Sequence, residues 1–227
     1  VAWSPNNQTP REMTEADMDT VEAAFVEATK RADRAGFDMV ELHAAHGYLL
    51  SAFLTPLTNK RTDGYGGSLE NRVRIVKELI DVTRDAVGDK AALACRFSVD
   101  LADSETYDAF GLMADLPDLW DLVVPDYGIE MGASRFVKEA ALQDSVAHAK
   151  TLTTKPVAAV GRFTSPDTMA RGVRDGTQDM IGAARPSIAD PFLPKKIEEG
   201  RVEDIRECIG CNICYAHNSN GVPVRCT

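Results

Sequence analysis

The sequence has no long hydrophobic run and no excess of positive charge, and both absences narrow the class of protein. None of its apolar stretches approaches the roughly 18 residues that a transmembrane helix needs, and no basic segment followed by an apolar one opens the chain. We therefore expect a cytoplasmic protein without a membrane partner. Because 25 Lys and Arg stand against 35 Asp and Glu, the net charge of −10 repels a phosphate backbone, and we expect no nucleic-acid partner.

Neither end of the sequence has the features of a complete chain. It opens at Val1 rather than Met and stops at Thr227, directly after the last cysteine, without the polar tail that usually closes a domain. We expect a piece of a longer protein, with a small processed protein as the alternative. Hydrophobic residues nevertheless make up 44% of the chain, which is enough for one sizeable core.

Apolar residues recur with the spacing of helices and strands along the chain. Thr14 precedes an amphipathic helix predicted over Asp17 to Ala35, and Ser68 caps a second one that runs to about Val87 and ends at Gly88. Continuous apolar runs predict buried strands, with further helices between them: strands at 37–44, 91–99, 119–125, 156–160 and 179–183, and helices near 109–116, 137–152 and 166–174.

This alternation predicts a parallel α/β fold with right-handed crossovers, as in a doubly wound sheet or a (β/α)8 barrel. Polar residues at the ends of successive strands favour the barrel, because those ends converge on one face there. The residues concerned are His43, Arg96, Arg162 and Arg185. Since five strands cannot close a barrel of eight, we expect about five βα units from the C-terminal portion of a TIM barrel, with the others encoded before Val1.

Four of the five cysteines lie close together near the end of the chain. Cys208, Cys211, Cys214 and Cys226 form a C-x2-C-x2-C-x11-C pattern. Four thiolates at this spacing suit a [4Fe–4S] cluster, because two-residue gaps let consecutive sulfur atoms point inward from a tight loop. A four-cysteine zinc site and disulfides are the alternatives, although zinc ribbons usually pair two C-x2-C motifs. The fifth cysteine, Cys95, is expected to be a core residue of a strand.

Two histidines and a tyrosine lie where the first predicted strand opens into a loop. His43, His46 and Tyr48 carry groups that can donate hydrogen bonds to a substrate carbonyl or carboxylate, and Tyr48 could supply a proton. A pair of structural histidines is the alternative. A metal site at these histidines is disfavoured, because no carboxylate stands at the usual ligand offset.

Small residues and arginines end the last two predicted strands. Gly161 and Arg162 follow one strand, and Ala184 and Arg185 follow the next. Small residues let backbone N–H groups approach an anion closely, and an arginine adds a charged fork suited to phosphate. On consecutive barrel strands these residues would form a phosphate-binding cup.

With those residues in place, the sequence resembles the Old Yellow Enzyme family of NADH:flavin oxidoreductases, in the iron–sulfur branch that includes trimethylamine dehydrogenase and 2,4-dienoyl-CoA reductase. The resemblance is most specific at residues 43–48, 59–72 and 184–191 and at the cysteine pattern. It implies an FMN-binding TIM barrel over residues 1–200 and the start of an iron–sulfur segment over residues 201–227.

Carried over by residue, the resemblance assigns a role to each group. His43 and His46 are similar to the pair near flavin and substrate, Tyr48 to the proton donor of the reductases, and Arg96 to the arginine beside the flavin N1 and C2 carbonyl. Asn71 and Arg72 are expected to be structural. The phosphate cup would consist of Gly161, Arg162, Ala184 and Arg185, and the cluster ligands would be Cys208, Cys211, Cys214 and Cys226.

The resemblance leaves two substrate classes open. The two histidines and the tyrosine together are typical of reductases of α,β-unsaturated carbonyls or enoyl and dienoyl thioesters, which use NAD(P)H. Glu130, aligned with a substrate-facing aspartate of the amine dehydrogenases, and the similarity over residues 179–214 favour oxidative dehydrogenation or demethylation of a small amine, which we predict. The two tryptophans, Trp3 and Trp120, are poorly placed to form an aromatic bowl around trimethylamine itself.

The same resemblance implies cofactors and partners. FMN and a [4Fe–4S] cluster are the expected cofactors, with NAD(P)H as reductant and FAD in a further C-terminal domain as additional candidates. The expected partners are a small-molecule substrate and an electron-transfer flavoprotein or NAD(P)H, and the full-length protein is expected to be a homo-oligomer. The alternative from another class is a non-enzymatic four-cysteine zinc protein.

Overall fold

Five strands form one parallel sheet in the computed structural model of the chain, which describes residues 8–125 and 135–227. The strands are β1 Met39–Ala44, β2 Ala92–Ser98, β3 Leu119–Val123, β4 Val157–Val160 and β5 Met180–Gly182. Each strand pairs with the next one in sequence, in the order β1-β2-β3-β4-β5. A doubly wound sheet reverses its strand order at a switch point, whereas a barrel adds strands in sequence. The observed order therefore fits the predicted barrel portion.

Helices connect and follow the strands. They are α1 Glu15–Arg34, α2 Leu49–Leu54, α3 Leu69–Val87, α4 Ser104–Gly111, α5 Gln143–Lys150, α6 Pro166–Arg174, α7 Ala184–Ala189, α8 Leu193–Glu198 and α9 Ile213–Ser219, with a 3₁₀ turn at Val202–Asp204. Thr14 caps α1 in a capping box with Asp17, and the Ser68 hydroxyl accepts from the backbone N–H of Asn71 at the start of α3. None of the helices in the described ranges combines the length and hydrophobicity of a transmembrane segment.

The core lies between the sheet and its helices. Alternate strand residues such as Leu42, Phe97 and Trp120 are buried on the helix side. The rings of Phe97, Phe110 and Trp120 meet with centroid separations of 4.6 to 5.8 Å, and the indole N–H of Trp120 donates to Ala114 O at 2.8 Å. Full burial of each ring stabilises the fold by roughly 2–3 kcal/mol. Because Trp120 is 0% exposed, it contributes no face to a ligand-binding aromatic bowl.

The segment 59–72 is a scaffold for the loop between α2 and α3. The side-chain amide of Asn59 donates to the carbonyls of Phe53 at 2.8 Å and Tyr65 at 2.7 Å. Arg72, only 4% exposed, donates from Nε to Leu54 O at 2.8 Å and from Nη1 to Gly67 O at 2.5 Å. Arg72 thus bonds part-buried backbone carbonyls, as expected for a structural residue.

Two helix predictions need correction. The helix expected near residues 109–116 is α4, which begins earlier because the Asp103 carboxylate accepts from the N–H of Glu105 and caps it. It ends at Gly111, and residues 112–116 form turns. The helix expected over 137–152 is confined to α5, Gln143–Lys150. Cys95 is fully buried in β2, and burial raises the pKa of its thiol far above the usual range, in agreement with a core role.

Candidate functional site

The predicted polar residues meet on the sheet face opposite the helices. His43 of β1 lies in register with Arg96 of β2, and Arg96 lies in register with Asp121 of β3. Arg96 Nε is 2.8 Å from Asp121 Oδ2, so the two side chains form an ion pair. The sheet therefore presents one arginine, held by a carboxylate from the neighbouring strand.

Glu41 belongs to the same charged face, two residues before His43. Although Glu41 is exposed, loss of water at the sheet surface raises the pKa of its carboxyl, and the negative charge of Asp121 adds to this shift. The positive charge of Arg96 opposes the shift but does not reverse it. Two carboxylates thus lie near one arginine, and the ion pair forms with Asp121.

The histidines and the tyrosine come together at the end of β1. The ring centroid of His43 lies 5.5 Å from that of His46 and 5.2 Å from that of Tyr48. His46 is 4% exposed and has a left-handed backbone with φ 59°, which is uncommon for a residue other than glycine. Its N–H donates to Ser98 Oγ at 3.2 Å, and the Ser98 hydroxyl donates to Val124 O at 3.2 Å.

These bonds join the ends of β1, β2 and β3 and hold the His46 backbone in its unusual conformation. The phenol of Tyr48 differs from His46 because the residue is 41% exposed. The buried imidazole of His46 and the accessible phenol of Tyr48 each contact the His43 ring. In such an arrangement an imidazole can position a ligand and a phenol can exchange a proton with it.

A cavity of about 420 Å³ lies beyond the ends of β4 and β5, within the size range of small-molecule sites. Its wall contains all four predicted phosphate-cup residues, Gly161, Arg162, Ala184 and Arg185. Much of the remaining wall is apolar, with side chains such as Phe163. The structure thus brings the predicted cup together in one cavity.

The backbone and side chains of this cavity fit a phosphate-bearing ligand. A Cβ at Gly161 would lie 3.2 Å from the Cα of Ala140, and one at Gly182 would lie 2.7 Å from Cγ1 of Val160, so both strand ends require glycine or local movement. Arg162 has a left-handed backbone with φ 55°, and its buried Nε has no hydrogen-bond partner within residues 8–125 and 135–227. A buried guanidinium donor without a partner fits an anion at this place.

The cysteine segment begins at the same cavity, since Cys208 and Cys214 contribute to its wall. The backbone N–H of Gly210 donates to Cys208 Sγ at 3.4 Å, and left-handed residues at Gly210 (φ 66°) and Asn212 (φ 60°) turn the chain into α9. All five cysteines are free thiols, so the disulfide alternative is wrong for this structure. Within the described ranges, no three Cys, His, Asp or Glu side chains lie close enough together to hold a metal ion.

The donor set of this segment still fits an iron–sulfur cluster. It offers four thiols, a tight double turn, and a backbone N–H already directed at a sulfur, which is a bond that tunes such clusters. The cluster and the domain boundary at residue 200 both stay predictions.

Three residues of the candidate site were not predicted from the sequence, and one predicted residue lies outside the described ranges. Asp121 is visible in the sequence as a charged residue within the apolar run of β3. Ser98 and Asn212 carry no motif, and only the fold places them beside His46 and Arg185. Glu130 lies outside the residues that the structure describes.

Comparison with known proteins defines the family. Residues 2–204 match the NADH:flavin oxidoreductase / NADH oxidase family. The dimethylamine dehydrogenase of Hyphomicrobium sp. (strain x) is 43% identical over 228 residues, which cover 94% of this chain and 31% of that protein. The NADH oxidase of Thermoanaerobacter brockii is 33% identical over 221 residues, covering 90% of this chain and 33% of that protein.

A solved structure agrees with this assignment. The structure of histamine dehydrogenase from Rhizobium sp. 4-9 superposes with a TM-score of 0.92 at 46% identity, covering 99% of this chain and 35% of that chain. The chain thus spans about a third of the length of these relatives. Both the family prediction and the fold prediction are confirmed: the chain belongs to the NADH:flavin oxidoreductase / NADH oxidase family, and its five strands are part of a (β/α)8 barrel.

Proposed function

We propose that the protein encoded by the full reading frame is an FMN- and [4Fe–4S]-dependent oxidoreductase that dehydrogenates a small amine. The observation that carries the proposal is the cavity of about 420 Å³ whose wall joins the phosphate-cup residues to two of the four cysteines. A site that couples a two-electron cofactor to a one-electron cofactor needs both binding segments at one place.

FMN is the ligand that the cup and the neighbouring strand ends fit together. Arg162 and Arg185 would hold the phosphate with the backbone of Gly161 and Ala184, and the apolar wall would exclude water from the ring system. Arg96 would face the flavin N1 edge, with Asp121 keeping its guanidinium in place. When bound, FMN supplies the chemistry of hydride acceptance and donation.

The four thiols Cys208, Cys211, Cys214 and Cys226 would hold the [4Fe–4S] cluster, which supplies one-electron transfer when bound. An electron-transfer flavoprotein is the partner that such a cluster could reduce, with FAD in a further domain as a second route. We also propose that the full-length protein is a homo-oligomer. A four-cysteine zinc protein is the alternative that metal analysis would reveal.

The substrate groups lie at the end of β1. His43 and His46 would bind and orient the polar end of the substrate, and Tyr48, whose phenol is accessible, would exchange the proton. Glu130 would favour a cationic amine through its charge. The similarity to proteins named dimethylamine dehydrogenase and histamine dehydrogenase supports an amine, while the buried Trp120 supports one other than trimethylamine.

A second candidate function is NAD(P)H-dependent reduction of an α,β-unsaturated carbonyl or an enoyl thioester. The observation that favours it is the contact of His43 with both His46 and Tyr48, because a reductase needs donors for the substrate oxygen and a proton donor for carbon. The similarity to a protein named NADH oxidase is compatible with this candidate.

Replacing Tyr48 by Phe distinguishes the two functions. The full-length protein and its Y48F variant would be assayed anaerobically with secondary and tertiary amines, and with NAD(P)H plus an enone, while the flavin absorbance is followed. We expect amines to bleach the flavin of the wild type, and no more than weak enone reduction. Robust enone reduction that falls about 10² to 10⁴-fold in Y48F, with no amine able to bleach the flavin, would make the protein a reductase.

A further inference from the structure

The phosphate cup and the cysteine segment share more than a cavity wall, because a cup arginine is bonded to the cysteine segment. Arg185 Nη1 donates to Asn212 Oδ1 at 2.5 Å, although the two residues are far apart in sequence. Asn212 lies between Cys211 and Cys214 and is the N-terminal capping position of α9, the helix that carries Cys214. The position of one cup guanidinium therefore depends on the conformation of the cysteine segment.

A second contact ties the same segment to the other cup arginine. Gly210 packs so closely that an added Cβ would lie 3.3 Å from Arg162 Nη1 and 2.9 Å from the backbone nitrogen of Arg135. The N–H of Arg135 donates to Gly210 O at 3.0 Å. The turn between Cys208 and Cys211 thus lies beside Arg162, so both cup arginines are adjacent to the cysteine segment.

The chemistry of arginine lets one side chain serve both sites. A guanidinium carries five N–H donors in a fixed plane, so Arg185 can donate to Asn212 and still direct other donors into the cavity. Anchoring the guanidinium in advance reduces the conformational entropy that phosphate binding must overcome. Asn212 itself has φ 60°, a conformation that asparagine tolerates better than most residues, and any event that fixes this turn fixes the anchor.

We propose that cluster assembly and FMN binding stabilise each other through the Arg185–Asn212 bond, with Asn212 as the positioning residue. The inference rests on the proposed function, since it requires FMN in the cup and a cluster on the cysteines. Ligation of Cys211 and Cys214 holds the turn between them, the turn holds Asn212, and Asn212 holds Arg185 toward the phosphate. Because binding linkage is reciprocal, bound FMN raises cluster stability by the same factor.

The experiment compares FMN affinity with and without the cluster in the full-length protein. Flavin is removed, the dissociation constant of FMN is measured by fluorescence quenching, and the cluster-free state is obtained with Cys211→Ala. Iron content and circular dichroism confirm the state and the fold of each sample. We expect the dissociation constant to rise about tenfold when the cluster is absent, within the usual range of coupling between sites.

Asn212→Gly is the variant that isolates the bond, because glycine keeps the left-handed turn while removing the amide. In this variant FMN affinity should be the same with and without the cluster. Asn220→Gly, at the other end of α9 where the amide donates only locally to Ala216 O, should keep the tenfold dependence. Asn212→Asp, which retains an acceptor for Arg185, should keep it as well.

The outcomes separate this inference from the proposed function. Equal FMN affinity with and without the cluster in the wild type would overturn the coupling, whether or not Asn212→Gly folds. A dependence that persists unchanged in a folded Asn212→Gly variant would overturn the role of Asn212. Protein that binds FMN and iron independently leaves the proposed function intact, whereas protein that binds neither would contradict both.

Discussion

At the scale of single residues, two carboxylates on the sheet face near His43 affect the position of one arginine. Arg96 forms an ion pair with Asp121 at 2.8 Å. The pKa of the nearby Glu41 is raised by loss of water and by the charge of Asp121. Asp121 thus orients the arginine, while Glu41 is an ionised group that the folded state disfavours.

Replacing Glu41 by Gln should therefore stabilise the protein at pH 7. The raised pKa means that the folded state binds the Glu41 proton more tightly than the unfolded state, so the wild type loses stability as the pH rises from the usual Glu range through the raised pKa. The variant lacks this loss, and its advantage should shrink as the pH falls below about 4. Thermal unfolding at pH 7 and pH 4 measures the difference in stability between the variant and the wild type. Glu203→Gln, on an exposed turn, is the control, and an advantage of Glu41→Gln that grows toward pH 4 would be the wrong sign.

At the scale of elements, the loop over residues 59–72 depends on one buried cation. Arg72 donates to the backbone carbonyls of Leu54, at the end of α2, and of Gly67, within this loop. Its Nη2 lies 2.6 Å from Glu105 Oε1 at the start of α4. It therefore joins the end of α2, the start of α3 and α4. This loop follows α2, the helix that begins after Tyr48.

Arg72→Met should destabilise the fold by about 2–4 kcal/mol, because it leaves the carbonyls of Leu54 and Gly67 and the Glu105 carboxylate without this donor. Chemical denaturation of the full-length protein measures the free energy of unfolding. Arg74→Met is the matched control, since Arg74 is exposed and its bonds to Gly64 O and Asn71 Oδ1 face water. Equal losses of unfolding free energy in the two variants would show that the burial of Arg72 adds no stability.

The elements that the sequence predicted are those with a long apolar signal. The five strands are largely apolar runs, and α1 and α3 carry 3.6-residue periodicity together with clear caps at Thr14 and Ser68. The short helices α2, α7, α8 and α9 have six or seven residues each, too few for a periodic signal, and their formation depends on tertiary packing.

The candidate site likewise has a part that was predictable from the sequence and a part that was not. The positions of four residues were predictable because His43 and Arg96 lie within two residues of the ends of β1 and β2, and Arg162 and Arg185 follow β4 and β5 within three residues. Strand ends meet in a parallel sheet. The ion pair of Arg96 with Asp121 and the bond of Arg185 to Asn212 were not, since each depends on the register or approach of segments distant in sequence. Sequence motifs therefore identified the candidate ligand-binding groups more readily than the residues that hold those groups in place.

At the scale of the whole molecule, the proposed function implies an order of electron transfer. The proposed substrate groups at the end of β1 and the proposed phosphate cup at β4 and β5 both belong to the barrel, whereas the cysteines follow it. We therefore expect substrate to reach the flavin without contacting the cysteine segment. We expect Cys211→Ala to abolish the cluster but to leave reduction of the flavin by substrate within about tenfold of the wild-type rate.

Anaerobic stopped-flow measurement of flavin bleaching by an amine checks this order, with iron content as the readout of cluster loss. Cys95→Ala is the control for a cysteine substitution outside the cluster, because Cys95 is buried in β2. Loss of flavin reduction in a folded, flavin-loaded Cys211→Ala protein would show that the proposed order is wrong.

The central claim is that this cavity belongs to a protein that holds both FMN and an iron–sulfur cluster. The most direct test is the cofactor content of the purified full-length protein, from its visible absorption spectrum and from metal analysis, with Arg162→Ala compared against Arg174→Ala on the exposed side of α6. We predict about one flavin and about four iron atoms per chain, with the flavin weakened or lost only in Arg162→Ala. A colourless protein that contains stoichiometric zinc would contradict the account.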